Sequence, residues 1–207
     1  MGHNVKVYEP VLVWLIYIVR CSMNELKKRK MKKYDVIYAD PAWRYDFSKS
    51  KSRDVENQYP TMTIDDICNL PVKNMTSENA VLYMWATAPK LPEAMKVIEA
   101  WGFKYVTHGI WDKEMIGMGY WFRGQHELLM VAKKGKFSPP PSTMRISSVM
   151  KEKRGKHSKK PDFIRDLIKE WYPSVDRLEM FCREEKQGWH TWGNEAENSI
   201  DLSEYYT

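Results

Sequence analysis

Cysteine is scarce and unpatterned in this chain. Cys21, Cys68 and Cys182 are the only three in 207 residues, and no two stand in CxxC spacing. An odd count without that spacing argues against a disulfide framework and a zinc knuckle, and points to a reducing, cytoplasmic setting. Long apolar runs are lacking as well. The run at 11–19 has nine residues, too few to cross a bilayer as a helix. Arg20-Cys21-Ser22-Met23 behind it offers no small-residue cleavage site of a signal peptide, so a peripheral strand or helix is expected there, with no membrane association. His126-Glu127 lacks the second histidine of a zinc protease, because position 130 is Met, and no metal is expected. The glycine-rich stretch 117–124 is not a dinucleotide fingerprint: its third glycine is misplaced and no helix follows. It reads as a flexible loop over a cleft.

Positive charge is plentiful. The net charge is +6 with 33 basic residues, clustered at 27–33, 133–136 and 151–160. Such runs suit a polyanion, with a solvated surface that keeps the protein soluble as the alternative. Nine tryptophans and twelve tyrosines serve either as base-stacking platforms or as an aromatic core. The length suits one large α/β domain, taken as 23–207, with 1–22 as an extension of uncertain role.

The organising stretch is 34–43, an apolar run ending in Asp40-Pro41-Ala42-Trp43. It predicts a buried strand emptying into a site, since open α/β sheets bind ligands beyond the carboxyl ends of their strands. Further strands are predicted at 79–85, 104–110, 127–133 and 175–181, the last of these closing the sheet, with a short one within 144–150. Helices are predicted after Thr63, in capping-box spacing with Asp66, at 90–101 before Gly102, and from Pro161 to Pro173. Trp43, Trp85 and Trp111 all close strands, which would gather them around one cleft. Lys160 sits poorly at a helix amino end, where the dipole favours anions. A ligand carboxylate or phosphate would resolve that, as would simple solvent exposure. Arg183, Asn194 and Glu195 converge after the final strand and suit ribose hydroxyls. The loop 44–53 beside the site is serine-rich and basic.

Asp40 is acceptor-only when ionised, Pro41 offers a carbonyl without an N–H, and Trp43 a flat face. Together they suit an aromatic ring bearing an exocyclic amine, whose delocalised lone pair must be turned out of the ring before it can react.

Read together, these residues resemble the family of adenine amino-group (N6) methyltransferases that includes the catalytic subunit of the eukaryotic messenger-RNA adenosine methyltransferase and its bacterial and phage DNA-adenine relatives. The resemblance runs from about Tyr34 to Glu195. It is carried in order by Asp40-Pro41-Ala42-Trp43 (an Asp-Pro-Pro-Trp-type motif), Tyr59-Pro60-Thr61-Met62, Lys160-Pro161-Asp162, Phe181-Cys182-Arg183 and Trp192-Gly193-Asn194. It implies a Rossmann-like α/β fold, mostly a parallel sheet with helices on both faces, and S-adenosylmethionine as cofactor. By matched position Asp40, Pro41, Ala42 and Trp43 are catalytic. Trp43, Tyr45, Tyr59 and Trp111 would bind the base, and Asp40, Lys160, Arg183, Asn194 and Glu195 the cofactor. Ala42 departs from the family's second proline, which implies a slacker turn with activity kept. The implied acceptor is nucleic acid, DNA ahead of RNA. A non-catalytic nucleic-acid-binding partner subunit is the rival, and monomer, homodimer and partner subunit stay open.

Overall fold

The computed structural model describes residues 31–45, 61–155 and 159–206. The expectations for 11–19, for Tyr59 and for the loop 46–58 therefore lie outside the described residues. The chain divides into Met1–Lys32 and Lys33–Thr207, and the architecture below is that of the second part.

Seven strands form one sheet: β1 (Tyr34–Ala39), β2 (Thr76–Ala86), β3 (Lys104–Asp112), β4 (His126–Lys134), β5 (Val149–Lys151), β6 (Arg177–Met180) and β7 (His190–Trp192). Their order is β5-β3-β4-β2-β1-β6-β7. β4 pairs antiparallel with both β2 and β3, while the other ladders are parallel. The carboxyl ends of β1, β2, β3, β6 and β7 therefore share one edge with the amino end of β4. Asp40 follows β1 at that edge.

Residues opposite one another in register share a face, so Val36, Tyr38, Tyr83, Trp85 and Leu129 line one side. Ile164 and Ile168 of helix α4 (Asp162–Trp171) join them in a single buried cluster. The other side is equally dry: Ile37, Leu82, Met84, Met130 and Leu178 are at most 1% exposed. Burial on both sides explains why these strands read as unbroken apolar runs. Among the described residues, two shorter helices and one of equal length precede α4. In α1 (Ile64–Cys68), the Thr63 hydroxyl accepts from the Asp66 N–H, as the capping spacing predicts. Next come α2 (Val72–Met75) and α3 (Leu91–Ala100). The Trp101 indole N–H donates to Ile67 O at 2.9 Å, tying α1 to the turn after α3. Gly102, at φ +80°, ends that turn where an L side chain would be strained. No helix among the described residues is long and apolar enough to cross a membrane.

Two expectations are corrected. The strand predicted at 175–181 is shorter and is not the last: β7 follows it, pairing parallel with β6. Its His-Thr-Trp is too short and polar to carry a pattern, and its place is set by tertiary bonds, with Thr191 exchanging hydrogen bonds with Ser199. Charged and apolar residues alternate along β6 in sequence, but burial does not follow them. Arg177 and Glu179 are buried like Leu178 and Met180, because Arg177 donates to Gly188 O and Tyr172 O, and Glu179 accepts from Arg165.

Candidate active site

At the carboxyl edge of the sheet lies a cavity of about 450 Å³, within the usual range for small-molecule sites. Its wall begins with Asp40, Pro41, Ala42 and Trp43, delivered by β1. The turn is tightly bonded. Trp43 N donates to Pro41 O at 2.8 Å and Met62 N to Ala42 O at 2.9 Å, stitching the motif to the segment before α1. The Pro41 carbonyl retains a second lone pair. The Trp43 indole is 4% exposed and donates to Trp85 O at 3.2 Å, so its orientation is fixed. Tyr45 lines the same cavity, with its hydroxyl 2.7 Å from Thr87 Oγ1 and the Lys90 ammonium 5.3 Å from its ring centre.

The opposite wall comes from the far end of the chain. Lys160, just ahead of α4, places Nζ 2.7 Å from Asp40 Oδ2 and 3.4 Å from Glu127 Oε2. These two carboxylates, not the helix dipole, account for a lysine at that helix amino end. Burial works against the ammonium charge, but Asp40 and Glu127 outweigh it and raise the Lys160 pKa. Burial also raises the Asp40 carboxyl above its ordinary 3.8. Lys160 pulls against that rise, Glu127 adds to it and Arg183 lowers it.

Arg183, Asn194 and Glu195 complete the wall. They are brought together by Gly193, where an added Cβ would stand 2.1 Å from the Cys182 carbonyl oxygen. Only glycine lets β7 exit this close, with Cys182 N bonded to Trp192 O at 3.0 Å. Phe181 has φ +62°, a conformation uncommon for a bulky residue. Its ring packs edge-on against Trp192, 5.4 Å between centres. That left-handed residue turns the chain sharply after β6 and sends Arg183 into the cavity. Arg183 Nε lies 3.7 Å from Glu195 Oε1. Burial pushes the Cys182 thiol up to about 12, which leaves no thiolate for nucleophilic chemistry here.

A second cavity of about 280 Å³ shares Asp40, Lys160, Phe181, Arg183 and Glu195 with the first. The Asp40–Lys160 pair thus stands where two compartments meet.

Of the residues predicted from sequence, those described all line this site except Trp111. Trp111 is 1% exposed, donates its indole N–H to Glu152 O at 2.7 Å and packs edge-on against Trp85. It closes its strand as expected, but on β3 it lies beyond β4 from the Asp40 turn, and its ring fills the core. Glu127, Met62, Trp85, Thr87 and Trp192 also line the cavity; Met62 and Trp192 fall in the resemblance motifs and Trp85 among the strand-end tryptophans, but none was assigned to the site. Glu127 could have been found as the one charge at the head of the apolar run Leu128-Leu129-Met130-Val131. The loop 113–125 does not line the cavity. It springs from the same sheet edge with Tyr120, Trp121 and Phe122 from 84% to 95% exposed.

Comparison with known proteins agrees with this geometry. The chain is 35% identical over 190 residues to the type II methyltransferase M.MunI from Mycoplasma, covering 83% of this chain and 82% of that protein. It is 25% identical over 189 residues to the human N(6)-adenosine-methyltransferase catalytic subunit METTL3, covering 86% of this chain and 30% of that protein. A Medicago truncatula putative N(6)-adenosine-methyltransferase, MT-A70-like, is 25% identical over 187 residues, 86% of this chain and 29% of its own length. The chain thus spans most of the Mycoplasma protein and under a third of the plant and human ones. The MT-A70 family model matches residues 34–195, the span that holds every described residue of the cavity wall, and the chain belongs to the MT-A70 family of methyltransferases.

Proposed function

We propose that this protein transfers a methyl group to the exocyclic amine of adenine, with DNA as the acceptor. The observation that carries the reading is the Asp40–Lys160 pair, 120 residues apart in sequence and 2.7 Å apart in space, at the junction of two cavities. Donor and acceptor need adjoining compartments and one acceptor group between them.

MT-A70 methyltransferases use S-adenosylmethionine as methyl donor, and the residues present fit it. Lys160 offers a buried ammonium for the carboxylate of its amino-acid end. Asn194 and Glu195 offer an amide and a carboxylate for ribose hydroxyls, and Arg183 stands beside them. When bound, the cofactor supplies an electrophilic methyl group. The chain's own work is orientation. Asp40 and the Pro41 carbonyl accept hydrogen bonds from the adenine amine, which turns its lone pair out of conjugation and aims it at the donor compartment. Trp43 and Tyr45 wall the base, excluding water. The base must leave its stack to arrive, at a cost of a few kcal/mol that is least in single strands. The exposed aromatic tip of the loop 113–125 suits stacking on neighbouring bases. The amine's surplus proton passes to water.

Similarity to a type II methyltransferase over 82% of its length supports DNA. The relatives named for N(6)-adenosine, a ribonucleoside, support RNA as the second reading. The test is methyl transfer from radiolabelled S-adenosylmethionine to duplex DNA, single-stranded DNA and RNA in parallel. Label should appear on DNA as methyladenine, and Asp40→Ala should lower it by about 100-fold or more. Retention above about one per cent of the wild-type rate in that variant would remove Asp40 from the mechanism. Label on RNA alone would move the assignment to the second reading. Cofactor binding without transfer to any acceptor would identify a partner subunit.

A further inference from the structure

Glu127 has no part in the mechanism above, yet it is one of the most enclosed acids among the described residues. Its side chain is 10% exposed and lines the larger cavity. One carboxylate oxygen lies 3.3 Å from Lys113 Nζ and the other 3.4 Å from Lys160 Nζ. Lys160 in turn holds Asp40. The charges alternate, Lys113, Glu127, Lys160, Asp40, from the base of the loop 113–125 to the Asp-Pro turn.

This arrangement answers a difficulty in the proposed function, on which the inference rests. Asp40 must accept hydrogen bonds from the adenine amine, but Lys160 on its Oδ2 draws off its negative charge and makes it a weaker acceptor. The Lys160 side chain is 14% exposed, with Nζ 6.0 Å from the ring centre of Trp85. In so dry a place an ammonium cannot simply let go of its counter-ion. A second carboxylate already in reach removes the obstacle, and Lys113 lies against that carboxylate's other oxygen. We propose that Glu127 is a positioning residue: together with the cofactor's carboxylate it holds Lys160 when Asp40 engages the acceptor amine, drawing the ammonium off the Asp40 oxygen.

The groups facing Asp40 are Lys160 ahead of α4, Glu127 of β4, Glu179 of β6 and Arg183 beyond it. Glu127 is the anion among them that touches Lys160. Its removal therefore has two consequences. Lys160 stays on Asp40 and slows transfer, and the Asp40 carboxyl titrates at lower pH, having lost a neighbouring negative charge.

The experiment is a double-mutant cycle in single-turnover methyl transfer at saturating S-adenosylmethionine, using the wild type, Glu127→Gln, Lys160→Met and the double variant. Glu127→Gln should slow transfer roughly 10-fold in the wild-type background and less than about twofold when Lys160 is already Met, because a residue acting through another loses its effect with it. Equal losses in the two backgrounds would overturn the proposal. Aspartate-labelled ¹³C NMR, with the Asp40 signal assigned by Asp40→Asn, gives a readout free of turnover. The Asp40 titration should move down in Glu127→Gln, and an unmoved titration counts against the proposal. Glu127→Asp keeps the charge and should recover part of the rate. A loss as large as that of Gln would point to packing and also overturn it. If Asp40→Asn transfers normally, the functional reading itself fails. If Asp40 proves essential while Glu127→Gln matches wild type, only this inference fails.

Discussion

In the proposed mechanism Asp40 serves as an ionised acceptor, and its surroundings decide when it is ionised. Burial raises its carboxyl above 3.8, against the pull of Lys160 and Arg183 and with the help of Glu127. Protonation accordingly sets in at a higher pH than for an exposed aspartate. As pH falls, methyl transfer should be lost while ordinary surface carboxylates are still charged. A pH–rate profile of transfer at saturating donor checks this, and an acid limb at or below 3.8 would contradict it. Gly193 acts at the same scale by having no side chain, since its neighbour at 2.1 Å is backbone and cannot swing aside. Phe181 is the converse, a bulky residue in a left-handed conformation that its contact with Trp192 holds in place.

Among the elements, α4 does most to bring the two ends of the site together. Its amino end carries Lys160, and one turn in, Arg165 anchors it to the sheet. Arg165, with a side chain 8% exposed, reaches Glu179 at 3.3 Å, Glu184 at 2.7 Å and Asp162. Glu179 is 11% exposed, and burial raises its pKa despite Arg165. Arg165→Met would strand that carboxylate, and by the usual cost of breaking a buried pair should destabilise the protein by about 3–5 kcal/mol near pH 8. The sign with pH follows from the raised pKa. The folded state of the variant takes up a proton at Glu179 more readily than the unfolded chain, so stability recovers as pH falls through that pKa. Urea unfolding at pH 8 and pH 5.5 measures both. A loss no smaller at the lower pH would show that Glu179 is not the group left behind.

For the whole molecule, binding is a matter of assembly. Asp40, Glu127, Lys160, Arg183 and Glu195 reach one site from separate parts of the chain, so a ligand that fills it selects the folded state. S-adenosylhomocysteine, which cannot transfer a methyl group, should raise the melting temperature by roughly 5–10 °C at about 100 times its dissociation constant. Lys160→Met should lose most of that shift at the same ligand concentration. A full shift in the variant would place the cofactor's carboxylate elsewhere.

Much of this was legible in the residues. The run 34–39 could only be a buried strand, Pro161 and Pro173 bracketed α4, and the Asp40, Lys160 and Arg183 motifs marked three parts of the wall. Each was legible because local chemistry leaves a local trace: an apolar run, a ring that fixes φ, a charge where charge is costly. The reversal of β4, the existence of β7, the burial of Trp111 and the place of Glu127 leave no such trace. A tryptophan at a strand end reads the same whether it faces a cavity or a neighbouring sheet. A glutamate heading a strand reads the same in water as between two lysines. The sequence by itself determined most of the strands and the longer helices, and which residues were candidates for the chemistry. The tertiary structure alone decided which of them meet, because strand order, strand direction and counter-ions at 3 Å are set by contacts between residues far apart in the chain.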